Sequence, residues 1–168
     1  MTALFVLALS AGALDCPPGT THAGEPPPYG NSEWCERPGP DGKPRRHGPA
    51  RDYLDLDLVH VESTWRDGFL DGPWMQYHRD GKKAAEGRYR DGERDGPWTF
   101  WYASGKVEEE ATYEMGRRHG RFVQWWPNGK RRTDGRFCLG LQCGEWTAWN
   151  EDGALLGTVT YEEIHGRP

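Results

Sequence analysis

The sequence predicts an all-β protein, an elongated single-layer antiparallel meander of stacked β-hairpins behind an irregular, disulfide-tied N-terminal cap. Three observations carry that reading. Glycine recurs every 24 residues, at Gly48, Gly72, Gly96, Gly120 and Gly144. Aromatic residues keep the same period. With 23 Gly and 13 Pro in 168 residues, turns are too dense for long helices. Hydrophobic residues reach only 35% and mean hydropathy is −0.91, which excludes a large aliphatic core. Nine Trp, seven Tyr and five Phe exclude a disordered chain, because disordered segments are poor in aromatics.

Residues 1–13 read as a signal peptide. Ala3–Leu9 is a short apolar run, and Ala11-Gly12-Ala13 fits the small-x-small rule for cleavage after Ala13. The expected destination is therefore exported: periplasm, cell surface or medium. A lipid anchor at Cys16 is the less favoured alternative, since Asp15 stands where a lipobox needs a small residue. No apolar run reaches the roughly 18 residues of a membrane span.

Residues 14–47 are rich in Pro and Gly and read as the cap. Cys16, Cys35, Cys138 and Cys143 are the four cysteines, an even number that in an exported chain implies two disulfides. No Cys-x-x-Cys is present to suggest a zinc ribbon.

Residues 48–168 form the repeat domain, with units 48–71, 72–95, 96–119, 120–143 and 144–167. We number positions within a unit from its leading glycine, taken as zero. Position 2 carries Trp74, Trp98, Phe122 and Trp146; position 5 carries Tyr53, Tyr77, Trp101, Trp125 and Trp149. Position 17 carries Trp65, Tyr89, Tyr113, Phe137 and Tyr161. Each unit reads as a hairpin. Its first turn holds Asp80-Gly81, Ser104-Gly105, Asn128-Gly129 or Asp152-Gly153, dipeptides that accept positive φ. Its second turn holds Gly68, Gly92, Gly116 or Gly140 and leads into the next unit; Ile164 breaks that column in the last unit. Turns this short permit only antiparallel neighbours.

If the second turn is a four-residue loop, positions 18 and 23 face each other. The resulting pairs are Arg66/Asp71, Arg90/Asp95, Glu114/His119 and Cys138/Cys143, and each is chemically complementary. Cys138–Cys143 is thus one expected bridge, and Cys16–Cys35 follows by elimination. In the first strand, positions 2 and 5 have opposite parity. Either a bulge intervenes or both faces carry aromatics.

The segment Gly96 to Gly116, Gly-Pro-Trp-x-x-Trp-Tyr-x-x-Gly-Lys followed by acidic residues, Tyr and Gly, resembles the MORN repeat. More closely, it is similar to the bacterial MORN-variant family, whose relatives are often labelled toxin–antitoxin antitoxin. The resemblance covers about residues 48–167. It implies a single-layer sheet of stacked hairpins serving protein interaction or membrane apposition. The N-terminal CPPG…WC…DGK…HGP arrangement resembles that of exported or lipid-anchored members.

Catalysis has no supporting constellation. His22, His47, His60, His78, His119 and His165 form no HExxH pair, and no serine sits in GxSxG. The acidic column Glu62, Glu86, Glu110 and Asp134 suggests a cation site less than a charge-paired surface, because Arg88 and Arg136 share its face. No cofactor, metal or catalytic residue is expected. A net charge of −5 argues against nucleic acid as a partner. Basic clusters at Lys82-Lys83, Arg117-Arg118 and Lys130-Arg131-Arg132 fit soluble turns better than a lipid-binding edge. The expectation is a non-catalytic exported scaffold that binds a protein or peptide of the cell envelope through its aromatic face or sheet edge. Trp74, Tyr77, Trp98, Trp101, Trp125, Trp146 and Trp149 are its candidate binding or packing residues. A cell-wall glycan or an anionic membrane surface is the alternative partner, and an antitoxin-like role follows from the family label alone.

Overall fold

A computed structural model describes residues 14–162. The expected signal segment 1–13, together with Ile164 and His165 of the last unit, lies outside the described residues. Twelve strands follow one another: β1 (Thr21–Glu25), β2 (Ser32–Pro38), β3 (Pro44–Asp55), β4 (Leu58–Arg66), β5 (Phe69–Tyr77), β6 (Lys83–Arg90), β7 (Glu93–Trp101), β8 (Val107–Glu114), β9 (Arg117–Trp125), β10 (Arg131–Cys138), β11 (Leu141–Trp149) and β12 (Leu155–Tyr161). They form one open sheet in sequence order, each strand antiparallel to its chain neighbours.

The N-terminal cap is more regular than its Pro and Gly content suggests. Disulfide Cys16–Cys35 ties it down as expected, but β1, β2 and the start of β3 extend the same sheet. Strand pairing places Trp34 opposite Ala50, so the cap supplies its own aromatic to the first unit.

The turn between units also differs from expectation. It has two residues, not four: Arg66 pairs directly with Phe69 and Cys138 with Leu141. Both loop residues have positive φ, as in Asp67 (52°) and Gly68 (92°), which is a type I′ turn. The expected pairs still meet, by another route. After each turn the later strand bulges, so that Asp71, Gly72 and Pro73 together stand opposite Thr64, and His119, Gly120 and Arg121 opposite Thr112. The bulge brings Asp71 to 2.6 Å from Arg66, Asp95 to 2.8 Å from Arg90 and Cys143 into its bridge with Cys138. Each leading glycine sits in such a bulge with positive φ, for example Gly96 at 75° and Gly120 at 92°. That requirement explains the 24-residue period.

The first turn is a tight loop in which, for unit 72–95, His78 N–H donates to the Lys82 carbonyl and Gly81 N–H to the His78 carbonyl. Gly81 holds φ at 78°, as in a type I turn closed by a glycine bulge.

Candidate functional site: two aromatic faces and an open edge

The parity question resolves as two aromatic faces. Within a strand, side chains alternate, so position 2 and position 5 point to opposite sides. On one side Trp98 (1% exposed), Phe122 (4%) and Trp146 (6%) form the core with Ala111 and Tyr113. Trp74 lies 5.3 Å from Trp98, and Tyr89 meets Trp98 edge-on at 5.2 Å. Phe122, Phe137 and Trp146 form a second knot with centroids 5.0–5.5 Å apart. The rings need small residues opposite them. A Cβ on Gly87 would come within 2.2 Å of Trp98, and one on Gly135 within 2.3 Å of Trp146. Where Ala111 replaces glycine, the smaller Phe122 replaces tryptophan. The buried indoles are satisfied: Trp98 Nε1 donates to the Arg88 carbonyl and Trp146 Nε1 to that of Arg136.

Guanidinium groups close this face from above. Arg46 lies over Trp34 and Trp65, Arg94 over Trp98, and Arg118 over Phe122 and Phe137, at 4.4–5.4 Å from the centroids. Of the aromatics singled out from sequence, Trp98 and Trp146 therefore belong to the buried packing column, and Trp74 packs half-buried against it. Tyr77, Trp101, Trp125 and Trp149 stand half-buried on the opposite face.

That second face also carries the acidic column, and Glu62, Glu86 and Asp134 of it have partners. Glu62 accepts from Tyr77 Oη at 2.7 Å and pairs with Arg51; Glu86 pairs with Lys83, and Asp134 with Arg121 and Arg131. Burial, reinforced by the Glu62 hydrogen bond, pushes the Tyr77 hydroxyl up to about 12. The corresponding acid of the cap, Glu33, is nearly buried. Tyr53, His22 and Arg51 surround it. Burial opposes its charge, but the Tyr53 and His22 hydrogen bonds and the Arg51 charge outweigh that and lower its pKa. Among the described residues no cluster of three His, Cys, Asp or Glu is placed to hold a metal ion.

Two further columns escaped the sequence reading. At position 6, His78 Nε2, Tyr102 Oη and Trp126 Nε1 each contact the backbone carbonyl of position 5 in the next unit, at 2.7–3.1 Å. Three different residue types hide the column; the shared signal is a ring carrying a polar hydrogen. At position 10, Lys82, Lys106 and Lys130 donate to carbonyls of the next first turn. The opposite edge is laced likewise, Gly92, Gly116 and Gly140 donating backbone N–H to the preceding unit. The basic clusters thus serve the sheet itself: Arg118 pairs with Glu109, and Arg132 covers Trp126.

One comparison with known proteins matches part of this repeat geometry. The family described as MORN repeat variant matches twice, at residues 70–91 and 94–115. Both spans are MORN-variant repeats. Unit 120–143 after them repeats the same turns, bulge and aromatic columns, whereas unit 48–71 before them has Ala50 at position 2 and a two-residue first turn without glycine. No curated protein matches the chain. Among solved structures, it is similar to a chain in the crystal structure of a GtfA/B complex bound to UDP and GlcNAc, at 12% identity and a TM-score of 0.27. The match covers 88% of this chain and 25% of that one, a quarter of its length, and says nothing of function.

The array ends asymmetrically. At one edge β1 is short and polar, and its His22 pairs with Glu33. At the other, β12 (Leu-Leu-Gly-Thr-Val-Thr-Tyr) is exposed along its whole length and pairs, among the described residues, only with β11. Leu155, Leu156 and Val159 are 62%, 67% and 56% exposed, beside a shallow cavity of about 320 Å³ lined by Trp146, Ala148 and Tyr161.

Proposed function

We propose that this protein is an exported, non-catalytic MORN-variant scaffold that binds a protein partner by strand addition at β12. One observation carries the reading. Among the described residues β12 has no charge, proline or cover along its free side, the devices that normally protect an edge strand, whereas β1 carries His22 and Glu25. An added strand would gain main-chain hydrogen bonds and bury Leu155, Leu156 and Val159. The sealed core face weighs against the aromatic face as the main docking surface. Two disulfides fit an oxidising compartment, and with the Ala11-Gly12-Ala13 site they support export. The test is recovery of partners from envelope extract by the mature protein and by a Leu155→Lys/Val159→Lys variant. A large loss of recovery with an unchanged circular dichroism spectrum is expected; undiminished recovery would overturn edge binding. Intact mass from the native host tests export, a start at Leu14 or a lipidated Cys16 being the expected result and an unprocessed Met1 the contrary one.

A further inference from the structure

The second face carries a row of grooves at the repeat spacing, and the chain's own Leu14 packs into the lining of the first. The bulge prolines form the walls. The first groove, about 220 Å³, is lined by Pro49, Glu62, Pro73, Met75 and Leu14, whose side chain is buried to 9% exposure. The next is built from the corresponding positions, Pro73, Met75, Glu86, Pro97 and Thr99, and holds about 420 Å³. The third, about 270 Å³, repeats them again with Pro97, Thr99 and Glu110.

The segment that reaches the first groove shows what such a row accepts. Cys16 is anchored to Cys35 of β2, and Pro17 lies over Gly48, where any side chain would meet its Cδ at 2.9 Å. Leu14 then descends between the walls of β3 and β5. The segment therefore crosses the strands and advances along the stacking axis. At Gly96, the corresponding position further along, a side chain would meet nothing within 4 Å. That surface is open.

We infer that the second and third grooves bind an extended, proline-rich segment of a partner protein with an aliphatic side chain at every third residue. Neighbouring hairpins are two strand spacings apart, about 9.6 Å. A polyproline II segment advances about 3.1 Å per residue, so three residues span about 9.3 Å and keep step with the grooves. Glu86 and Glu110 at the rims offer acceptors to the peptide backbone. This site is separate from the β12 edge and does not depend on it.

The test titrates the full mature chain into a fluorescein-labelled peptide repeating Leu-Ser-Pro, read by anisotropy, with an Asp-Ser-Pro repeat as control. Saturable binding of the leucine peptide only is expected. Thr99→Trp, which fills both grooves, and Pro97→Arg, at an exposed wall, should each weaken it at least about tenfold, the loss expected for denying one leucine side chain its burial. Val159→Lys at the β12 edge should leave it unchanged. Absence of saturable binding, equal binding of the aspartate peptide, insensitivity to both groove variants, or loss caused by Val159→Lys would each overturn the inference.

Discussion

At the residue scale, position 2 and position 5 carry the same residue types with different consequences. Trp98 is enclosed by Trp74, Tyr89, Tyr113 and the Arg94 guanidinium, so Trp98→Ala should cost about 3–5 kcal/mol in urea unfolding. Trp101, half-buried on the other face beneath Lys83, should cost about 1–2 kcal/mol when truncated. Equal losses would erase the distinction between a packing and a surface column. Sequence showed both columns but not their roles, because burial depends on what lies above each ring, and the Arg94 and Arg118 lids come from the preceding turn edge. A second residue-scale expectation concerns the unit turns. Asp67 and Asp91 tolerate the left-handed conformation, whereas Met115 and Leu139 hold it at 47° and 51° with exposed apolar side chains. Met115→Asn and Leu139→Asn should each stabilise by about 0.5–1 kcal/mol, measured as a higher denaturation midpoint.

At the element scale, the hairpins and the Cys138–Cys143 bridge were legible because turn chemistry and complementary pairs recur at fixed positions, and Cys16–Cys35 followed by elimination. The mechanism joining those pairs was not legible. Counting residues suggested a wide loop, whereas a two-residue turn followed by a bulge returns position 23 to position 18. The cap misled for a related reason: its prolines lie at strand ends and in turns, where they leave the ladder intact. The cap should also give the molecule its clearest pH response. Glu33 is ionised and held below the ordinary carboxylate range, so its contribution is present above the unfolded value and is lost as pH falls through the lowered one. Glu33→Gln should be less stable at neutral pH and show a flatter acid limb. The raised tyrosine works in the opposite sense. The unfolded chain ionises Tyr77 near 10 while the folded one holds its proton to about 12, so stability falls as pH rises between those values. Tyr77→Phe should remove that part of the alkaline decline. A pH profile unchanged in either variant would contradict the assigned contacts. The Cys138–Cys143 bridge closes a separation of only 5 residues, and its replacement by serines should cost about 2 kcal/mol, confined to the β10–β11 hairpin.

At the scale of the whole molecule, among the described residues every strand pairs only with its chain neighbours, and no strand pairing closes the sheet. Stability in such an array is close to a sum over units and the interfaces between them. The buried rings reach from β7 to β11, while β12 is exposed throughout and β1 nearly so. Native-state hydrogen exchange should therefore be graded along the chain, with β12 opening first and β7–β9 last, and with β2–β3 protected beyond its ring packing by the Cys16–Cys35 bridge. Trp98→Ala sharpens the test. Trp98 packs against residues of β5, β6 and β8 and makes none of the ring contacts of the cap. A loss of about 3 kcal/mol there should speed exchange roughly a hundredfold in β6–β8 and leave β2–β3 amides unchanged. Acceleration by the same factor in every strand would mean that the units open together. The partner grooves and the β12 edge would then share one folding equilibrium instead of acting as separate sites on one scaffold.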